Sequence, residues 1–310
     1  LLRVSKMNKY FKYLLFLVLF SCDKIENPLP EEYGKLDWSL YPGDPSDYPY
    51  DLVNLSSNWG INNNTKGILL EDYTGHKCTN CPVAAQIAKN LEDDSSKNII
   101  VATIHASLDG FFQSTDNVFT TNYETEAGNE YVRGSEIPGF LGNPMGTVNR
   151  ISGGLSNTVW YLSSEWENAV INEMNNSLKI NLQLKYYHFQ ETNGLFIHTQ
   201  TSVLSDLFGK YHLIIYLVRN NIFSPQKFSL GVVDTNYNHH NVLSNNINGT
   251  WGTSIIDGGA LKDSLIYNTF SFKLPSPEND STFRIDNLSL ISYVINRDNM
   301  KVLQVIKNDL

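Results

Sequence analysis

The chain has 310 residues, of which 41% are hydrophobic and 18% are charged, and this composition excludes a wholly disordered or collagen-like chain. Its 23 basic and 32 acidic residues give a net charge of −9, and the first 21 residues hold four of the basic residues and none of the acidic ones. The remainder is therefore still more acidic. Because such a chain repels phosphate backbones, we expect no nucleic-acid partner.

The N-terminus has the pattern of an export signal. Met7 is the expected start, two lysines follow it, and residues 13–20 are apolar. This run is about half the ~20 residues that a membrane-spanning helix needs. It ends in Ser21-Cys22, and a small residue before a cysteine at this place resembles the bacterial lipoprotein box. The resemblance implies removal of residues 1–21 and a lipid on Cys22 that anchors the chain to a membrane. The alternative is an ordinary secretory signal in which the cysteine stands by chance.

The segment that follows, residues 22–50, holds five of the 11 prolines of the chain. Proline-rich segments of this kind form semi-extended linkers. We therefore expect a flexible, lipid-anchored tether over residues 22–50, which holds the folded part away from the membrane surface.

The two remaining cysteines, Cys78 and Cys81, form a CxxC pair. A disulfide across so short a loop adds little chain-entropy stabilisation, so the pair indicates a chemical role more than a structural one. Redox exchange, metal ligation and an inert structural disulfide are the alternatives. The metal alternative is zinc held by both cysteines together with His76 and His105, and no other cofactor is expected.

The CxxC pair stands between a predicted strand at residues 67–73 and a helical pattern that begins at Cys78. A helix N-terminus stabilises a thiolate, so Cys78 is the predicted nucleophile and Cys81 the predicted resolving thiol. His76 and Lys77 would add positive charge beside them. His105 ends the next predicted strand, where it either polarises the thiols or is an ordinary core residue.

This order of strand, CxxC, helix and strand resembles a thioredoxin-like domain. Such a domain also has a proline, usually with a cis peptide bond, that begins a later strand and faces the CxxC pair. Pro144 precedes strand-like residues and is the predicted proline, and Pro138 is the weaker alternative. A capping box at residues 164–167 predicts the helix that closes a domain over residues 51–176.

From Leu178 onward the hydrophobic period changes to two. Alternating or β-branched runs, separated by turn signals, predict strands. These runs lie at residues 178–186, 196–203, 211–218, 269–274, 288–295 and 302–306. They predict an antiparallel β-sandwich domain over residues 177–310.

Several runs resemble the outer-membrane-protein-28-related lipoproteins of bacteria. Residues 69–82 resemble that family's TG-x-x-C-x-N-CP signature, and residues 144–150 resemble its Pro-x-Gly-x-x-Asn-Arg segment. Residues 211–218 and 237–243 are similar to its later blocks, and residues 291–304 to its C-terminal hairpin. The resemblance implies a thioredoxin-like domain joined to a β-sandwich, on the bacterial outer membrane and facing either the periplasm or the cell surface.

Two functions follow as expectations. The first is thiol–disulfide exchange with protein thiols or disulfides, in which Cys78 forms a mixed disulfide, Cys81 resolves it and Pro144 shapes the edge that holds the substrate. The second is a non-enzymatic adhesin or ligand-binding lipoprotein, in which the CxxC pair is a structural disulfide and the sandwich binds an unidentified surface ligand.

Overall fold

The computed structural model describes residues 36–60 and 65–310. The described α-helices are α1 (Cys81–Asp93), α2 (Glu126–Arg133) and α3 (Trp166–Met174). The described strands are β1 (Ile68–Thr74), β2 (Ile99–His105), β3 (Met145–Val148), β4 (Ile180–Phe189), β5 (Gly194–Val203), β6 (Leu207–Phe208), β7 (Tyr211–Arg219), β8 (Ile222–Lys227), β9 (Val233–His239), β10 (Val242–Asn246), β11 (Thr253–Ile256), β12 (Gly259–Ala260), β13 (Leu265–Lys273), β14 (Leu288–Asn296) and β15 (Val302–Asp309). Among the described helices, none has the length and apolar character to cross a bilayer.

The largest sheet has the order β15-β14-β7-β10-β2-β1-β3, with β11 paired to the far end of β7. Strands β1 and β2 are parallel, and β3 runs antiparallel to β1. The connection between parallel strands needs a crossover, and α1 supplies it. The result is a mixed α/β fold in which strands predominate.

Helices cover the β1–β2 part of this sheet on both faces. Ala84, Ala88 and Leu91 of α1 pack against Ile68 and Val101 on one face, together with α3. On the other face α2 packs against Leu69, Tyr73 and their neighbours. The apolar spacing of α1 that is visible in the sequence is thus the stripe that faces the sheet.

A second sheet of order β13-β5-β4 packs on the β7–β14 part of the large sheet. Alternate residues of β4, such as Ile180 and Leu182, meet alternate residues of β7, such as Leu213 and Ile215, in one apolar layer. This is the packing that a period of two predicts, and all six strands expected in the second half are present with small shifts of their ends.

The large sheet continues across the domain boundary that the sequence predicts between residues 176 and 177. Val242 of β10 pairs with Thr103 of β2, and the Thr103 N–H donates to the carbonyl of Asn241 at 2.9 Å. The contacts group Lys35–Leu310 as one compact unit. Strands from both halves of the chain thus share one sheet.

The flexible tether predicted for residues 22–50 is wrong for its second part. From residue 36 the chain forms short 3₁₀ turns and lies on the β13-β5-β4 sheet, with Leu40, Tyr48 and Tyr50 buried. Tyr50 stacks on His198 of β5 with ring centroids 3.6 Å apart. Aromatic side chains, which the proline count does not reveal, hold this segment in place. The predicted signal peptide and Cys22 lie outside the described residues.

Candidate functional site

Cys78 and Cys81 are joined by a disulfide at the carboxyl end of β1, and both residues are almost fully buried. The sequence places the start of the helix at Cys78, but α1 begins at Cys81. Cys78 instead lies in a turn, where its N–H donates to the Gly75 carbonyl at 3.0 Å. Cys81 is thus the first residue of α1, so the positive end of the helix dipole lies nearest to Cys81 and not to Cys78, while the Cys81 N–H donates to the Cys78 carbonyl at 3.3 Å.

Gly75 is the glycine of the TG-x-x-C-x-N-CP signature and lies in the turn before Cys78. A Cβ at this position would lie 2.7 Å from the carbonyl oxygen of Phe112 and 2.6 Å from the Phe112 Cβ. The Phe112 carbonyl also accepts a hydrogen bond from the Lys77 N–H. The turn that presents the cysteines is thus pressed against the loop of residues 111–113, and only glycine fits there.

Asp72 is the charged side chain that the sequence analysis missed. It lies in β1, six residues before Cys78, and is 1% exposed. Neither carboxylate oxygen has a hydrogen-bond partner among the described residues. Burial raises the pKa of Asp72 to about 7. The available signal was two adjacent acidic residues, Glu71 and Asp72, directly after an apolar run and beside a CxxC pair.

The positive charge expected from His76 and Lys77 is largely absent from the site. His76 is buried, its Nε2 lies 3.0 Å from the Ser114 carbonyl, and burial lowers its pKa. Lys77 forms an ion pair with Asp116 at 2.8 Å. At neutral pH His76 is therefore uncharged, and the charge of Lys77 is compensated by a neighbour.

His105 is also buried, and neither ring nitrogen has a partner among the described residues. Burial, followed by the neighbouring His239 and His76, lowers its pKa well below the ordinary value. A neutral imidazole does not supply the charge that polarises a thiol. His105 packs instead against Tyr123 and His239, with ring centroids 4.7 and 5.8 Å away.

Pro144 precedes β3, and the Asn143–Pro144 peptide bond is cis. Met145, the next residue, pairs with Tyr73 near the end of β1. The register therefore places Pro144 at the same end of the sheet as the CxxC turn. Pro138, the alternative, is not followed by a strand.

A hairpin from the second half of the chain contacts the CxxC turn. Strands β8 and β9 pair with each other and with no other described strand. The Lys227 N–H donates to the His76 carbonyl at 2.8 Å, and Gln226 Nε2 donates to the carbonyls of Cys78 and Gly75 at 3.2 and 3.4 Å. Polar strands without clear alternation give little sequence signal, so this contact was not predicted.

A cleft of about 610 Å³ lies between α1 and the second half of the chain. Asp72, Thr103 and Cys81 contribute to its lining, as do Tyr237 and His239 at the end of the hairpin. Within residues 36–60 and 65–310, no group of three or more His, Cys, Asp and Glu side chains has the arrangement of a metal site.

The comparisons with known proteins fit a cell-envelope protein. The family model described as outer membrane protein Omp28 matches residues 136–310, a region that begins after the CxxC pair. HBP35 of Porphyromonas gingivalis has a similar structure, with a TM-score of 0.60 and 16% identity over 81% of this chain and 77% of that chain. A domain of the outer membrane lipoprotein Omp28 from the same organism aligns with a TM-score of 0.28 and 19% identity, over 43% of this chain and 88% of that one. No protein of curated function matches the chain.

Proposed function

The chain belongs to the outer membrane protein Omp28 family and is located in the outer membrane, and we propose that it carries out thiol–disulfide exchange there through Cys78 and Cys81. The observation that carries the proposal is the buried carboxyl of Asp72. It lines the same cleft as Cys81 and has no described partner of its own. A buried acid with a raised pKa beside a reactive pair is a typical feature of catalytic sites.

The surrounding elements support a thioredoxin-like arrangement for this part of the chain. Strand β1 leads into the CxxC turn, α1 follows, and β2 returns parallel to β1. Strand β3, directly after Pro144, then pairs antiparallel with β1. In this arrangement the turn and Pro144 lie at one end of the sheet.

The exchange proceeds in two balanced steps. The Cys78 thiolate attacks one sulfur of a substrate disulfide, forms a mixed disulfide and releases the other sulfur as a thiolate. Asp72 accepts the proton of the Cys81 thiol, and Cys81 then attacks the Cys78 sulfur. This second step expels the remaining substrate thiolate and restores the protein disulfide. The reverse sequence oxidises a substrate dithiol, and the reduction potential of the pair sets the direction.

The lipid anchor is a second part of the proposal. Cys22, if lipidated, attaches the folded unit to the membrane and leaves the CxxC pair on a soluble body. Metabolic labelling with a fatty acid, compared between the wild type and Cys22→Ser, tests this part. We expect label on the wild type alone, and an unlabelled wild type overturns it.

Single-cysteine variants test the exchange. The Cys81→Ser variant is expected to accumulate mixed disulfides with protein substrates on Cys78, and the Cys78→Ser variant is expected to lose exchange. Non-reducing electrophoresis and mass spectrometry of the trapped species provide the readout. If neither variant differs from the double serine variant, the exchange function is excluded.

A non-enzymatic role is the second candidate, and the burial of the pair favours it. Cys78 is 2% and Cys81 1% exposed, and the β8–β9 hairpin is bonded to their turn. The reduction potential separates the two candidates. A value above roughly −230 mV is typical of exchange-active pairs, whereas a value below about −300 mV marks a structural disulfide and favours a ligand-binding role.

A further inference from the structure

We propose that the cleft beside α1 binds small disulfides that carry both carboxylate and ammonium groups, and that it delivers them to Cys81. The substrate class is thus the disulfide of cysteine or of a short cysteine-containing peptide. The inference rests on the proposed exchange function and adds a second entrance to the site, separate from the side on which Cys78 meets a protein substrate.

The position of the cleft selects one cysteine of the pair. Its walls are α1 on one side and the end of the β8–β9 hairpin on the other, and Asp72 and Thr103 lie at its base. Cys81 is part of the lining, whereas Cys78 is not among the described residues that line it. The volume of about 610 Å³ falls within the range of about 300–1,000 Å³ that is common for small-molecule sites.

Unpartnered polar atoms line the cleft. Both carboxylate oxygens of Asp72, Oδ1 of Asn238 and Nε2 of His239 are buried, and none has a hydrogen-bond partner within the described residues. Buried polar atoms in folded proteins are nearly always satisfied. A polar molecule in the cleft can form hydrogen bonds with these atoms, so the lining favours a polar ligand over an apolar one.

The charges around the cleft have both signs. Lys89 and Lys307 are on its lining together with Glu92, Asp286 and Asp309. Amide side chains, among them those of Asn220, Asn221 and Asn241, lie between them. Lys307 pairs with Glu92 at 3.6 Å and Lys89 pairs with Asp93 at 2.8 Å, so a ligand that carries both signs of charge replaces such pairs without leaving an unbalanced charge.

The reaction at this entrance oxidises the reduced pair. The Cys81 thiolate attacks one sulfur of the small disulfide, whose S–S bond breaks and releases a small thiolate. Cys78 then attacks the Cys81 sulfur, forms the protein disulfide and expels the second small thiolate. The two small thiols carry away two electrons and the two protons of the protein thiols. Cys81 is the first residue of α1, where the positive end of the helix dipole favours its thiolate.

Single-cysteine variants test which sulfur the cleft serves. Cys78→Ser leaves Cys81 alone, and Cys81→Ser leaves Cys78 alone. Each variant is mixed with excess glutathione disulfide, and the rate of mixed-disulfide formation is followed by intact mass. We expect Cys81 to react about tenfold faster than Cys78, because access limits such reactions. Equal rates, or a faster Cys78, overturn the inference.

A pair of matched substitutions tests the route. Ala85 lines the cleft, whereas Val83 lies on the same helix, is 65% exposed and does not line it. In the Cys78→Ser background, Ala85→Trp is expected to remove the rate advantage of Cys81, and Val83→Trp is expected to retain it. Retention in both variants overturns the cleft as the route. Circular dichroism shows whether the Ala85→Trp variant is folded. If it is misfolded, Gln86→Trp replaces it, because Gln86 also lines the cleft.

The choice of disulfide tests the ligand class. Glutathione disulfide and cystine are compared with the uncharged bis(2-hydroxyethyl) disulfide. Faster reaction of either zwitterion at Cys81 supports the class, and the faster of the two identifies peptide or free amino acid as the source. Equal rates for all three disulfides overturn the proposed ligand class.

Failure of the exchange function itself has a different signature, since the wild-type disulfide would then resist dithiothreitol under native conditions.

Discussion

The carboxylate of Glu71 and the guanidinium of Arg150 form a two-bond ion pair in the core. Arg150 donates from Nε to Oε2 at 2.8 Å and from Nη2 to Oε1 at 2.7 Å, and neither side chain is exposed. Tyr216 of β7 donates to the same carboxylate at 2.9 Å. The pair therefore connects the strand before the CxxC turn, the chain after β3 and the second half of the molecule.

Breaking this pair from one side leaves a buried charge without a partner. We expect Glu71→Gln to lower the free energy of unfolding by about 3–5 kcal/mol. Asp93→Asn is the matched control because it breaks the exposed Lys89–Asp93 pair, and it should change stability by less than about 1 kcal/mol. Urea unfolding measures both values. Similar small values for the two variants would contradict the role assigned to the buried pair.

The same pair predicts an acid-sensitive term in stability. Burial by itself raises the pKa of Glu71, but the charge and hydrogen bonds of Arg150 outweigh it, so the pKa lies below the ordinary value of 4.5. A depressed pKa contributes stability that is present above the unfolded value and is lost as pH falls through the folded value. We expect the difference between wild type and Glu71→Gln to shrink below pH 4.5 in urea titrations. A stability difference between the two proteins that stays constant below pH 4.5 would contradict the lowered pKa of Glu71.

Asp72 predicts the opposite dependence. Because burial raises its pKa from 3.8 to about 7, the folded state binds a proton that the unfolded state has lost, and stability falls as pH rises through that interval. Asp72→Asn should remove this decline and stabilise the protein at pH 8 by up to about 4 kcal/mol. It should also slow exchange and abolish the step in its pH–rate profile near 7.

The control for this prediction is Asp257→Asn, which changes a largely exposed carboxylate. Its urea midpoint and its pH–rate profile should follow the wild type. If Asp72→Asn is destabilising at pH 8, or if its exchange rate keeps the wild-type pH profile, then Asp72 is not the titrating group of the site.

The β8–β9 hairpin should restrict access to the disulfide. Gln226→Ala removes the side-chain donor to the carbonyls of Gly75 and Cys78. The loss of about 1 kcal/mol of hydrogen bonding should raise the rate of reduction by dithiothreitol about fivefold. Asn236→Ala, on the exposed side of the same hairpin, is the control. An unchanged rate in Gln226→Ala would show that the hairpin does not restrict the reaction.

The ordered N-terminal segment predicts a clear truncation boundary. A chain that starts at residue 36 keeps Leu40, Tyr48 and Tyr50, whereas one that starts at Leu52 loses them and exposes His198. The loss of two buried aromatic side chains should lower the free energy of unfolding of the shorter chain by at least about 3 kcal/mol relative to the longer one. Equal unfolding curves would contradict the packing.

Local patterns in the sequence predicted most elements but few of the contacts between them. The period of two identified β4, which has a partly exposed face, whereas β5, β7 and β14 are buried on both faces and were identified by their β-branched and apolar runs. The pairing of Val242 with Thr103, which joins the two halves, is a single bridge between distant segments and leaves no periodic signal. The same holds for Asp72, whose importance comes from the absence of a described partner, and such a property is visible only in three dimensions.

The packing of the segment from Leu36 onward shortens the linker that would join a lipid anchor to the folded part of the protein. If Cys22 carries the lipid, only the fourteen residue steps between Cys22 and Leu36 separate the membrane from the folded body. Fully stretched, they span at most about 50 Å. If the proposed exchange takes place, such an anchor would keep the Cys78–Cys81 pair close to the membrane and favour partners that lie in or near that membrane.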